Sequence, residues 1–121
     1  MKIFLFGFGA QAAELLRQIV LNSDDEVLGV NPITPRISRS RVPVDLDADI
    51  MAKTSFDLGV PIFKTNNVNN REFVEDIKNL DCDLLLNFGH YQLFKKPLLN
   101  SVSIGCLNRH DGLIPYGRGS G

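Results

Sequence analysis

MKIFLFGFGAQAAELLRQIVLNSDDEVLGV, residues 1–30, decides the fold. Lys2 to Phe6 is a short apolar run rich in β-branched and aromatic residues, the pattern of a buried strand. Gly7-Phe8-Gly9 makes a turn, because glycine tolerates the sharp backbone bend required there. Ala12, Leu15, Leu16, Ile19 and Val20 then recur on one helical face. Asn22-Ser23-Asp24-Asp25 ends that helix, and Glu26 to Val30 reads as a second strand. Strand, glycine turn, helix, strand is a parallel βαβ unit with a right-handed crossover.

The same pattern continues downstream. Asn31 to Pro43 reads as a loop, since Pro32, Pro35 and Pro43 exclude regular structure. Ala48 to Phe56 reads as a helix with an aspartate before it as N-cap. Leu58 to Phe63 reads as a short strand. Asn69 with Glu72 three residues on has capping-box spacing, and Phe73, Ile77 and Leu80 form the buried stripe of the helix that follows. Leu84-Leu85-Leu86 is apolar on both faces, as central parallel strands are. Lys95 to Asn100 is a short turn or helix around Pro97, and Val102 to Leu107 is the last strand, with Ile104 buried. The expected architecture is α/β: a Rossmann-like three-layer α/β/α domain with a mainly parallel sheet of about five strands.

Composition narrows the function. The chain has 121 residues, enough for one domain, and a net charge of −1. Nothing in that charge balance argues for general nucleic-acid affinity. No apolar run approaches membrane-spanning length and no signal peptide is visible, so a cytoplasmic protein is expected. Cys82 and Cys106 lack metal-type spacing and read as reduced thiols.

Several stretches could carry chemistry. Gly7-x-Gly9-x-x-Ala12 resembles a dinucleotide fingerprint, but Val30 and Asn31 stand where an acidic residue would hold a ribose. The alternative is a tight turn that lets the helix pack on the sheet. Arg36, Arg39 and Arg41 suit phosphate, because a guanidinium donates two hydrogen bonds at once. They could equally offset Asp45, Asp47 and Asp49 in a solvated loop. His90 follows the third strand and is expected to be a satisfied surface group. In SIGCLNRHDGLIPYGRG, residues 103–119, Asn108 and His110 share one side of an extended segment where a strand runs out into a loop. Open α/β sheets bind ligands at such strand ends.

This last stretch resembles the formyltransferase family, which includes methionyl-tRNA, glycinamide-ribonucleotide and amino-sugar formyltransferases. Asn108 and His110 match the family's catalytic pair, Leu113-Ile114-Pro115 its apolar turn, and Arg118-Gly119 its end. Tyr116-Gly117 departs slightly from the usual order. The His-Asp-Gly turn is most similar to amino-sugar and peptide-synthetase-linked members. The resemblance implies an N-formyltransferase that moves a formyl group from formyl-tetrahydrofolate, a co-substrate, to a primary amine. Asn108 would stabilise the oxyanion and His110 would move the amine proton. Phe88, Gly89, His90, Tyr91 and Leu93 would face the folate, with Gly7, Phe8, Gly9 and Arg118 on the acceptor side. Expected partners are a nucleotide-linked amino sugar and, as a homodimer, a second copy of the chain. No metal is expected. The family's third catalytic residue, an aspartate well downstream of the histidine, has no counterpart here, and Asp111 is a poor substitute. Residues 1–121 are therefore expected to form the N-terminal part of a catalytic domain, truncated and inactive alone. Other readings are a nucleotide- or dinucleotide-binding Rossmann module, a methionyl-tRNA formyltransferase fragment, and a non-catalytic folate- or sugar-binding remnant.

Overall fold

The computed structural model describes residues 1–32, 45–90 and 92–109, with side chains described outside 45–49. Four strands form one sheet: β1 (Lys2–Gly7), β2 (Glu26–Pro32), β3 (Leu84–Phe88) and β4 (Gly105–Asn108). Their order is β2-β1-β3-β4 and every pairing is parallel. The helices are α1 (Gly9–Asn22), α2 (Asp45–Asp57), α3 (Arg71–Leu80) and the single turn α4 (Lys96–Leu99). The expected three-layer α/β architecture is what forms.

Period-two alternation within β1 builds the layers. Phe4 and Phe6 enter one core with Leu85, Phe73, Val74, Ile77 and Leu98, beneath α3 and α4. Leu5 enters the other with Ala12, Ala13, Leu16, Val30 and Met51, beneath α1 and α2. Phe4, Leu5 and Phe6 are completely buried. Each such side chain contributes about 1.5–3 kcal/mol through the water it sheds. The amino-terminal ends of three strands are tied by Asp83. Its carboxylate accepts from the Lys2 backbone N–H and from the Ser103 hydroxyl, both at 2.9 Å. The Lys2 bond first, then the Ser103 bond, holds its pKa below the ordinary aspartate value.

Several expectations need correction. Asn31 and Pro32 belong to β2 rather than to the loop, because β2 keeps pairing with β1 as far as Gly7↔Pro32. Residues 33–44, with Arg36, Arg39 and Arg41, lie outside the described residues. The second helix starts at Asp45, so Asp47 is inside it rather than capping it. Leu58 to Phe63 is not a full strand. It makes one parallel bridge, Val30↔Ile62, with backbone bonds from Val30 N–H to Pro61 and from Phe63 N–H to Val30. Among the described residues the sheet thus has four strands rather than five. The N-cap of α3 is Asn70, not Asn69: its side chain accepts from the Glu72 and Phe73 N–H groups. The last strand starts at Gly105, and Ile104 and Leu107 are 64% and 59% exposed. The apolar content predicted burial, but β4 is the outermost of the described strands, and neither residue joins a core cluster.

Candidate active site

From β1 the chain crosses to β2 on one side and later reaches β3 on the other. The winding direction therefore reverses between β1 and β3, which is where open α/β sheets leave a ligand crevice at the carboxyl ends of their strands. Gly7 and Phe88 are register partners at that point. A Cβ on Gly7 would lie 2.8 Å from Ala12 Cβ and 3.2 Å from the Phe88 carbonyl oxygen. Gly9 opens α1 at φ +83°. The glycine turn thus serves packing, because it brings α1 close to two strands at once. At the end of β2 the Asn31 side chain donates to the Phe63 carbonyl at 2.7 Å. Its own Oδ1 is buried and meets no donor among the described residues.

One step along the strands runs a row of polar groups. Phe6 is in register with Asn31 on one side and Asn87 on the other, and Asn87 is in register with Asn108. Partners in a parallel sheet face the same way, so these residues look toward the α3 side, like Phe4 and Leu85. Asn87 is buried, and its Oδ1 accepts from the His90 backbone N–H at 2.7 Å. Asn108 is exposed. Its Oδ1 lies 3.5 Å from the Cys106 thiol, which also lies 3.7 Å from the Leu107 carbonyl. Burial pushes the Cys106 thiol up to about 11, so it stays protonated and acts as a donor. An amide whose oxygen is engaged in this way keeps its NH₂ for another acceptor.

The segment after β3 forms the neighbouring wall. Gly89 takes φ +102°, and the Phe8 ring lies 3.7 Å from where a Cβ on it would stand. His90 is not the surface group expected from its loop position: it is 3% exposed, with its ring against Phe6 and Phe94. Desolvation lowers its pKa to about 4. Its Nδ1 accepts from the Gln92 N–H at 3.0 Å, so the imidazole is neutral and carries its proton on Nε2. Leu93 is 77% exposed beside this turn. Phe88 lies beneath Arg109, whose guanidinium carbon is 4.6 Å from the ring centroid.

Three supports of this wall carry no motif of their own. Gln92 accepts from the Val68 N–H and donates to the Asn66 carbonyl. Asn69, freed from the capping role expected of it, donates to the Leu93 carbonyl and accepts from the Lys95 N–H. Arg109 donates to Gln11 on α1 at 2.6 Å. For Gln92 and Arg109 the available signal was position, immediately beside motif residues, whereas Asn69 read only as a helix cap. The structure brings Gly7, Phe8, Gly9, Phe88, Gly89 and Asn108 to one end of the sheet. Leu93 follows on the same loop, while His90 turns its ring into the core. Tyr91, His110 and Arg118 lie outside the described residues.

Comparison with known proteins follows the same lines. The chain is 30% identical to methionyl-tRNA formyltransferase of Protochlamydia amoebophila, over 99% of its own length and 37% of that protein. It is 24% identical to the enzyme of the same name from Akkermansia muciniphila, again over 99% and 37%. The chain is thus similar along nearly its whole length to methionyl-tRNA formyltransferases. It spans 37% of the length of these formyltransferases. The fold is also similar to glycinamide ribonucleotide transformylase 1 from Symbiobacterium toebii, with TM-score 0.63 and 17% identity, covering 95% of this chain and 53% of that one. No family model matches. Among the described residues no group of His, Cys, Asp and Glu is placed to hold a metal ion, and no helix is long and apolar enough to cross a membrane.

Proposed function

We propose that this chain supplies the donor- and acceptor-facing part of an N-formyltransferase site, in which formyl-tetrahydrofolate gives its formyl group to a primary amine. The observation that carries this reading is the position of Asn108. It ends β4 at the carboxyl edge of the sheet, in register with Asn87, beside the segment that follows β3. The amine nitrogen attacks the formyl carbon, the carbonyl oxygen becomes an oxyanion, and the bond from that carbon to the folate nitrogen breaks as the amine proton is transferred to the leaving nitrogen. The Asn108 NH₂, left available by the Cys106 contact, suits the oxyanion. His110 carries the proton. The donor's pterin fits an edge made by the backbone of the Gly89 turn and the exposed Leu93, with Tyr91 between them in sequence. Phe88 is covered by Arg109 and His90 is buried, so these two support the slot from behind. Gly7, Phe8 and Gly9 border the acceptor side, and Arg118, by its place in the motif, is assigned an acceptor-binding role.

The test is kinetic, in the protein that carries this chain. Asn108→Ala and His110→Ala are each expected to lower kcat about 100-fold or more, with folate affinity and thermal melt little changed. Turnover within a few-fold of the parent, in an intact fold, overturns the assignment.

For the acceptor, two amines compete. The names of the relatives favour methionyl-tRNA. The His110-Asp111-Gly112 turn favours a nucleotide-linked amino sugar. Formyl transfer measured with each acceptor separates them by the ratio of kcat/KM.

A further inference from the structure

We propose that Arg109, the residue between the two motif positions, is a positioning residue that sets Asn108 by anchoring the end of β4 to α1 and β3. The proposal rests on the formyltransferase reading of Asn108. Side chains alternate along a strand, so Arg109 faces the α1 side while Asn108 faces the α3 side. Among its contacts with the described residues, three hold it there. Its backbone N–H donates to the Asn87 carbonyl at 2.9 Å, which extends the β3–β4 ladder by one bond past Asn108. Its guanidinium lies over Phe88, with the central carbon 4.6 Å from the ring centroid. Its Nη1 donates to Gln11 Oε1 at 2.6 Å, across 98 residues of sequence.

The mechanical consequence follows from the edge position. β4 has one neighbour among the described strands and exposed side chains at Leu107 and Asn108. An edge strand's last residues fray unless something holds them. Arg109 ties this end to the first turn of α1, the element that also fixes Gly7 and Gly9. The oxyanion donor is thereby indexed to the glycine turn across the crevice, on two different strands. A planar guanidinium can stack and donate in a fixed fork at once, and an ammonium cannot.

The experiment uses Arg109→Met, Arg109→Lys, Gln11→Ala and the Gln11→Ala/Arg109→Met double variant in the protein that carries this chain. Amide hydrogen exchange at Arg109 reads the anchor without any need for activity. Steady-state kinetics reads its effect on transfer. Exchange is expected to accelerate about tenfold in Arg109→Met and Gln11→Ala. The value of kcat is expected to fall about tenfold, the donor KM to stay within about twofold, and the thermal melt to hold. Lysine is expected to restore little of either. The double variant is expected to be no worse than Arg109→Met, since the two side chains act as one contact. Unchanged exchange in Arg109→Met overturns the anchor. Faster exchange with unchanged kcat overturns its role in positioning, as does full rescue by lysine. If Asn108→Ala itself leaves kcat intact, the underlying reading fails, and the exchange result still decides the anchor.

Discussion

Asn87 and Asn108 stand opposite each other at the ends of β3 and β4, one buried and one exposed. The pair divides two roles. Asn87 spends its oxygen on the His90 backbone and so shapes the turn after β3, while Asn108 presents its amide outward. Asn87→Ala should therefore leave the buried His90 N–H without its acceptor. The expected loss is about 1–3 kcal/mol, read by urea denaturation, and on the proposed reading of the site donor binding weakens as the turn relaxes. Asn87→Asp should recover most of the stability, because a carboxylate can accept the same bond. Equal losses in both variants would mean that the Asn87–His90 bond is not what holds the turn.

His90 should make the protein acid-sensitive. Its folded pKa is lowered by burial to about 4, against an ordinary 6.5. The unfolded chain therefore binds the proton first as pH falls. Stability tied to His90 is fully present above pH 6.5 and is lost progressively as pH drops toward 4. Protonation would also turn the Nδ1 acceptor toward Gln92 into a second donor. The expected loss is on the order of 2 kcal/mol. Thermal melts at pH 7.5 and 4.5 should show it, and His90→Gln should flatten the difference. A wild-type melt independent of pH over this range would contradict the buried neutral imidazole.

Gly7→Ala should destabilise strongly. The added methyl meets Ala12 Cβ at 2.8 Å and the Phe88 carbonyl at 3.2 Å, and the second of these is backbone. The expected cost is about 1–3 kcal/mol for overpacking, seen as a lower denaturation midpoint with an unchanged slope. Ala12→Gly placed on top of Gly7→Ala should relieve the closest contact and recover part of it. If Gly7→Ala melts like the parent, the close approach of α1 to the sheet is wrong.

Cys106 should resist alkylation. Burial raises its thiol to about 11, so at pH 8 only about one part in a thousand is thiolate, and the thiolate is the nucleophile. Iodoacetamide should react about 100-fold more slowly than with an unperturbed cysteine. The sign for stability is the reverse of the His90 case. The contribution is intact below the unfolded pKa, near 9, and is lost as pH rises toward 11. Rapid labelling at pH 8 in the folded protein would remove the thiol donor argued for Asn108.

Much of the fold was readable because its signals are local. Lys2 to Phe6 and Leu84 to Leu86 are apolar on both faces, and both became interior strands. The Phe73 and Ile77 stripe packs where its spacing predicts. What escaped depends on neighbours that sequence spacing does not reveal. Spacing to Glu72 points to Asn69 as the cap, but the role falls to Asn70, while Asn69 is engaged with Leu93 and Lys95 across the fold. His90 reads as a loop residue, and only Phe6 and Phe94, on other elements, make it a buried one. Ile104 and Leu107 read as core, and the edge position of β4 exposes them. At the site, the motif singled out Asn108 as a candidate, while the Arg109–Gln11 contact needed the folded chain to become visible.

The place of β1 between β2 and β3 bears on how the chain is made. β1 leaves the ribosome before its two neighbours, and β2 follows soon enough to cover one of its edges. The other edge waits for Leu84 to Phe88, about 80 residues later, or roughly 4–16 s at usual rates of synthesis. Throughout that interval Phe4 and Phe6 have no Leu85 and no α3 to pack against. The nascent chain therefore carries an open apolar strand edge for seconds, which is long enough for a chaperone to bind it or for a neighbouring chain to pair with it.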